Sequence, residues 1–237
     1  MKLSVVIPVY NEEQTINEVL ERVCAVEIDG IEKEIVVAND GSSDGTRHVL
    51  DTTRWATDPR VRTYHHQINL GKGAAVRLGL HHASGDVLLI QDADLELNPE
   101  DYVHLLAPIR EGRASVVYGS RFLSASNRVP SRTRLANRFL TGLTNVLFAA
   151  RLTDMETAYK VFRRDVFERV RLRCVGFDFE PEFTAQVLLA GERIVEVPVE
   201  YTPRRADEGK KIGWSDGFDA IYALLKCRLK HRDTKKI

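Results

Sequence analysis

Aliphatic runs that break into polar clusters, separated by helical repeats, constrain this chain more than any other feature of it. Residues 3–9 are apolar almost without interruption, and residues 34–38, 61–65 and 86–91 read as further strands. A strand that is apolar at nearly every position, not at alternate ones, is covered on both faces. Between these runs the period changes. Ile16, Val19, Leu20 and Val23 share one face of a helix expected over 12–26, and residues 45–54 and 72–82 read as two more helices. Pro99 opens another helix, as a residue suited to a first turn, and 115–118 reads as strand five. This alternation predicts an α/β fold with a mainly parallel central sheet flanked by helices.

The second half is less regular. A helix over 132–150 carries apolar Leu135, Phe139, Leu143, Val146 and Leu147, with Arg132, Arg134 and Arg138 near its start. Residues 154–162 read as irregular and then strand-like, 181–190 as helix and 194–197 as strand. A basic loop over 203–213 precedes a last helix over 214–229. No linker and no internal repeat divides the 237 residues, so one domain with an irregular C-terminal part is expected.

In open parallel sheets, ligands lie beyond the carboxyl ends of the strands. Three polar clusters fall at that edge: Pro8-Val9-Tyr10-Asn11-Glu12, Asn39-Asp40-Gly41-Ser42-Ser43-Asp44-Gly45, and Asp92-Ala93-Asp94 with Glu96 beyond it. Clustered carboxylates repel one another, and a hard cation such as Mg²⁺ or Mn²⁺ relieves this while also taking phosphate oxygens. An acidic turn before a helix start is the plain structural alternative for Asp92 and Asp94. Their register with the other two clusters favours the ligand reading. Asp44 can cap the next helix, which leaves Asp40 to accept hydrogen bonds from a nucleobase or ribose. Lys72 stands between Gly71 and Gly73 at a helix start, which suits a phosphate or a tight turn. Neither a P-loop spacing nor G-x-G-x-x-G follows a strand, so neither an ATPase nor a dehydrogenase is favoured.

These clusters, with Asn69–Gly73 and Gly119-Ser120-Arg121, resemble glycosyltransferase family 2, and most of all its dolichol-phosphate or polyprenyl-phosphate mannose synthases. The resemblance runs from about residue 3 to 214. It implies the GT-A fold, with a catalytic domain over 1–213. Residues 1–120 would form its nucleotide-sugar half and 121–213 its acceptor and lid region, followed by a C-terminal helix and basic tail over 214–237. It further implies that Pro8, Tyr10, Glu12 and Asp40 surround the nucleoside. Asp92 and Asp94 would engage metal and diphosphate, with Glu96 a further metal candidate, and Lys72 and Ala93 would also contact the nucleotide-sugar. Asp94 and Arg121 would lie where chemistry occurs. The basic loop would close over donor phosphates through Lys210, Lys211 and either Arg204 or Arg205. The implied reaction is an inverting, metal-dependent, non-processive transfer of a sugar from GDP-mannose or a UDP-hexose to a polyprenyl phosphate. An anionic acceptor needs cations to place it, and Arg121, Arg132 and Arg134 are the candidates.

A sugar hydroxyl as acceptor would instead require a base, with Asp154, Asp178, Glu180 and Glu182 as candidates. Rival readings are a sugar nucleotidyltransferase and a non-catalytic nucleotide-sugar-binding protein. The formal net charge of zero hides an asymmetry: residues 1–109 carry 9 Lys/Arg against 18 Asp/Glu, and residues 110–138 carry 7 against 1. Basic residues beside the apolar faces of helix 132–150 and of the tail predict a peripheral membrane protein at the cytosolic face, with a membrane surface or membrane protein as partner and no nucleic acid. Core packing is the alternative use of those apolar faces. Three scattered cysteines, without metal-ligand spacing, and the lack of a leader pattern suit the cytosol.

Overall fold

The computed structural model describes residues 1–204 and 214–234, with side chains described to 204 and from 217 to 230. Seven strands form one sheet in the order β3-β2-β1-β4-β6-β5-β7: β1 Lys2–Val9, β2 Glu32–Asn39, β3 Val61–His65, β4 Val87–Ile90, β5 Val116–Ser120, β6 Lys160–Arg163 and β7 Ile194–Pro198. β1 pairs in parallel with β2 and β4, β2 with β3, and β5 with β7. β6 alone runs antiparallel, against β4 on one side and β5 on the other.

Both faces of the sheet are covered, as the uninterrupted apolar runs require. Val5 and Ile7 of β1 enter a cluster with Leu20 of helix α1 (Ile16–Ala25), while Val6 enters the opposite cluster with Val76 and Leu80 of helix α3 (Lys72–His82). Each such fully buried aliphatic side chain contributes about 1.5–3 kcal/mol relative to exposure. α3 packs closely because of Gly79: a Cβ there would stand 2.4 Å from Val6 Cγ1. The close approach fixes where the start of α3, and with it Lys72, meets the sheet edge.

Several boundaries differ from the sequence reading. α1 begins at Ile16, because residues 10–15 form a turn in which Asn11 takes φ 52°. The helix expected over 45–54 stops at Thr52, as α2 (Thr46–Thr52), and a 3₁₀ turn over Arg54–Ala56 carries Trp55 into the core. Pro99 opens a 3₁₀ turn that leads into α4 (Tyr102–Arg110).

The C-terminal half adds α5 (Ser131–Phe148), α6 (Arg164–Arg169), α7 (Phe179–Leu189) and α8 (Trp214–Thr234). Leu140 of α5, Ala185 of α7 and Ala220 and Leu224 of α8 share a third core cluster. The apolar stripes opposite it are open. Leu135, Phe139 and Val146 on α5 are 73%, 60% and 83% exposed, and Phe218, Tyr222, Leu225 and Leu229 line the outer face of α8. Core packing therefore accounts for only one side of each helix.

Candidate active site

The carboxyl ends of β1, β2 and β4 bring the three polar clusters together around a cavity of about 320 Å³. The turn after β1 is tied to the loop after β2: the Asn11 N–H donates to Ser42 Oγ at 3.0 Å, and the Glu12 N–H to Thr46 Oγ1 at 2.8 Å. Asp40 lines the cavity but is almost fully buried. Its two oxygens accept the Leu70 and Gly71 N–H groups at 3.0 and 2.7 Å, and His66 Nδ1 lies 2.8 Å away. It thereby holds the 69–73 loop that sets Lys72.

Lys72 Nζ reaches Asp92 Oδ2 at 2.9 Å and Glu180 Oε1 at 2.8 Å. Burial opposes its charge, but Asp92 and then Glu180 outweigh that, so the ammonium is held protonated well above its ordinary value. Asp94 behaves oppositely. Burial, then the charges of Asp92 and Glu96, push its carboxyl up to about 7. Leu95 sits at φ 61° in the same turn, a strained value for a leucine, and the Glu96 N–H closes back onto Asp94 Oδ1 at 3.0 Å.

Arg204 crosses this acidic group. Its Nε donates to the Asp94 carbonyl at 2.8 Å, its terminal nitrogens reach both Glu12 oxygens at 3.1 and 2.6 Å, and its backbone N–H donates to Glu96 Oε1 at 2.9 Å. Of the two loop arginines, Arg204 is thus in the cavity; Arg205, Lys210 and Lys211 lie outside the described residues. Pro8, Tyr10 and Ala93 line the same cavity.

No three His, Cys, Asp or Glu side chains converge as a ready metal cage among the described residues. The donor set fits a different arrangement. Asp92 and Asp94 are close enough to raise the Asp94 pKa, and they face an open cavity, which suits an ion shared between one or two carboxylates and phosphate oxygens. Glu96 is turned toward Arg204.

A second cavity of about 390 Å³ adjoins the first and shares Lys72, Asp92, Asp94, Glu96 and Phe177 with it. Arg121 and Arg132 line it, together with Leu140 of α5 and Gly217 of α8. Arg121 is paired with Asp154 at 2.8 Å, and that carboxylate also accepts from Asn137 at 2.7 Å. Arg134 points elsewhere, to the Val129 carbonyl at 3.5 Å.

The base candidates separate on geometry. Asp154 is saturated by Arg121 and Asn137; Glu182 Oε2 accepts the Arg173 and Cys174 N–H groups, each at 2.7 Å; Asp178 accepts from the Gly176 N–H at 2.9 Å; Glu180 holds Lys72. Sequence reasoning missed Glu156. It lines the second cavity, and its Oε1 is buried with no hydrogen-bond partner among the described residues. Burial, then the Glu180 charge, push its carboxyl up to about 7. Nearby Lys160 is buried and donates to the Met155 and Thr157 carbonyls at 2.8 and 2.7 Å, over the Tyr118 ring; burial lowers its pKa to about 8. The sequence signal for both was an acid and a lysine among apolar residues, in a segment that read as irregular.

Comparison with known proteins gives the family and the fold. The family model described as glycosyl transferase family 2 matches residues 4–171. An undecaprenyl-phosphate mannosyltransferase of Micrococcus luteus is 31% identical over 242 residues, covering 98% of this chain and 96% of the relative. Glycosyltransferase AglD of Haloferax volcanii is 31% identical over 216 residues, or 86% of this chain; the match spans only 34% of that longer protein. Among solved structures, glucosyl-3-phosphoglycerate synthase of Mycobacterium tuberculosis, in complex with Mn²⁺, UDP and phosphoglyceric acid, aligns with a TM-score of 0.71 at 21% identity, over 96% of this chain and 78% of that one. That similarity carries the fold.

Proposed function

The chain belongs to glycosyl transferase family 2, and from that premise we propose that it transfers a sugar from GDP-mannose or a UDP-hexose to a polyprenyl phosphate, with inversion at the anomeric carbon. The observation that carries this reading is the pair of adjoining cavities, which meet at Asp92, Asp94 and Lys72. The full-length match to a polyprenyl-phosphate mannosyltransferase supports the choice of acceptor.

In this reading an acceptor phosphate oxygen attacks the anomeric carbon from the second cavity. The bond from that carbon to the diphosphate breaks, and its electron pair leaves with the nucleoside diphosphate. The nucleophile is already anionic, so the step requires no base. Negative charge grows on the departing diphosphate, where Lys72 and Arg204 stabilise it more in the transition state than in the ground state. Arg132 faces the acceptor, and Arg121, fixed by Asp154, supplies oriented N–H groups beside it. Mg²⁺ or Mn²⁺ held by Asp92 and Asp94 would add further neutralisation at the diphosphate, a reading supported by the Mn²⁺ and UDP in the Mycobacterium tuberculosis structure. The basic loop through Arg205, Lys210 and Lys211 would cover the donor.

The enzyme would work peripherally at the cytosolic face of a membrane. No described helix is long and apolar enough to cross one. The open apolar faces of α5 and α8 flank the second cavity, to which Leu140 and Gly217 belong, and would bring it to the lipid. A hydroxyl acceptor is the second reading, and the unpartnered Glu156 oxygen is the observation that favours it.

The test is transfer by purified protein from radiolabelled GDP-mannose, UDP-glucose and UDP-N-acetylglucosamine, with Mg²⁺ or Mn²⁺, with and without polyprenyl phosphate, beside Asp94→Ala. Metal-dependent label in the lipid phase that the variant loses is the expected result. Transfer only to a hydroxyl compound, lost in Glu156→Gln, would establish the second reading. No turnover of any donor would overturn both.

A further inference from the structure

On the far side of α7 from the active site lies a separate cleft of about 420 Å³, lined on one wall by Arg169, Arg171 and Arg173 and on the other by Lys226 and Lys230 of α8. The local sequence explains the first wall. In Arg169-Val170-Arg171-Leu172-Arg173-Cys174 the apolar residues alternate with the arginines. The segment runs extended after α6, so Val170 and Cys174 are buried, Leu172 packs against the core, and the three arginines are exposed on the opposite side. Lys226 and Lys230 are four residues apart and stand one above the other on the helix flank.

The arginine charges are only partly compensated among the described residues. Arg169 is committed to Glu192 at 2.7 Å and to Asp165 at 3.7 Å. The guanidinium groups of Arg171 and Arg173 make no hydrogen bond or ion pair among the described residues. The one carboxylate lining the cleft among the described residues, Glu182, has an oxygen taken by two backbone N–H groups. Alternate residues of an extended chain lie about 7 Å apart, so Arg171 and Arg173 together span more than a single phosphate group. The cleft also continues into the exposed stripe of Phe218, Tyr222, Leu225 and Leu229, for Lys226 Nζ lies 5.3 Å over the Tyr222 ring.

We propose that this cleft is a non-catalytic anion site that takes the phosphates of anionic phospholipid headgroups and so seats α8 at a membrane surface. The proposal rests on the peripheral reading given above and adds a site remote from both active-site cavities. The apolar stripe would sit at the acyl boundary while the cleft engages headgroups beside it, an arrangement that combines buried apolar area with attraction to anionic lipid.

The test is co-sedimentation of the full-length protein with phosphatidylcholine vesicles, with and without phosphatidylglycerol, for the wild type, Arg171→Gln/Arg173→Gln and Arg171→Lys/Arg173→Lys. Both positions are exposed, so the unfolding midpoint should not move. Each basic residue near an anionic surface contributes about fivefold to binding, so the Gln pair should lose about twenty-five-fold on phosphatidylglycerol vesicles while the Lys pair keeps most of its binding. Transfer to detergent-solubilised polyprenyl phosphate should be unchanged in both. Equal binding by wild type and Gln pair would overturn the proposal, as would equal binding to both vesicle types. Displacement by millimolar inorganic phosphate at matched ionic strength would assign the cleft to a soluble phosphate ester instead. Wild type that binds no vesicle yet transfers sugar in detergent would overturn the cleft and leave the reaction standing.

Discussion

Arg121 and Asp154 hold each other in a closed pair: two guanidinium nitrogens reach the two carboxylate oxygens at 2.8 Å each, and the Arg121 backbone N–H adds a third bond at 3.0 Å. Burial opposes the Asp154 charge, but Arg121 outweighs it and holds the carboxyl below its ordinary value. Breaking one side of a buried pair leaves the other charge uncompensated, at about 3–5 kcal/mol. Asp154→Ala should lower the urea midpoint accordingly. Arg121→Lys keeps the charge but loses the fork, so it should cost less in stability while still slowing transfer. A neutral effect of Asp154→Ala on the midpoint would show that the pair does not hold the fold.

Arg204 and Glu12 should behave as one unit. The arginine spans both Glu12 oxygens and the Asp94 carbonyl, so either truncation unseats the other partner. In a double-mutant cycle of Arg204→Ala and Glu12→Ala, donor affinity should show a coupling of about 1–3 kcal/mol. Isothermal titration with nucleoside diphosphate measures it, and additive losses would mean that the arginine acts alone.

Glu156 should give stability a definite pH slope. Its folded-state pKa of about 7 lies above the ordinary 4.5, so between those values the folded state binds more protons than the unfolded chain. Stability from this group is therefore greatest below about pH 4.5, falls as pH rises through the window to about 7, and is flat above it. Glu156→Gln should remove that part of the slope. Urea midpoints at pH 5 and pH 8 for both proteins decide the matter, and an unchanged difference between the two pH values would refute it.

Gly71 is a position where only glycine fits. Its φ is +105°, and a Cβ there would stand 2.3 Å from the Val175 carbonyl oxygen. Gly71→Ala should lower stability by about 2 kcal/mol or more and tilt the start of α3, weakening donor binding through Lys72. Thermal melting with and without donor nucleotide tests both halves of the prediction.

The side of the site built on β1, β2 and β4 was legible because its signals are local. Uninterrupted aliphatic runs mark strands covered on both faces, and polar residues directly after them fall at one edge by topology alone. Asp92, Asp94 and Asp40 could therefore be placed together before any contact was known, whereas Lys72 could be read equally as a phosphate ligand or as part of a tight turn. The second cavity was not legible in this way. Arg121 and Asp154 are 33 residues apart and meet only because β6 turns back between β4 and β5, a pairing that no periodicity announces. Glu156 was hidden for the same reason. The apolar residues of α5 and α8 were visible in sequence, but helical spacing does not say whether a second apolar stripe meets protein or solvent. Only the structure, in which Leu135, Phe139 and Phe218 are exposed, shows that it meets solvent.

The reversed direction of β6 bears on how such an enzyme can diversify. In the parallel strands β1, β2 and β4 the site draws on residues that follow the strand, whereas from β6 it draws on those that precede it, because Lys160 pairs with Tyr118 near the carboxyl end of β5. The segment 149–159 thus brings Asp154 and Glu156 to the site from the opposite end of a strand, on a stretch of chain apart from the one that carries Asp92 and Asp94. In the proposed reading, choice of acceptor and choice of donor are written in separate stretches of chain. A lineage could exchange one and keep the other.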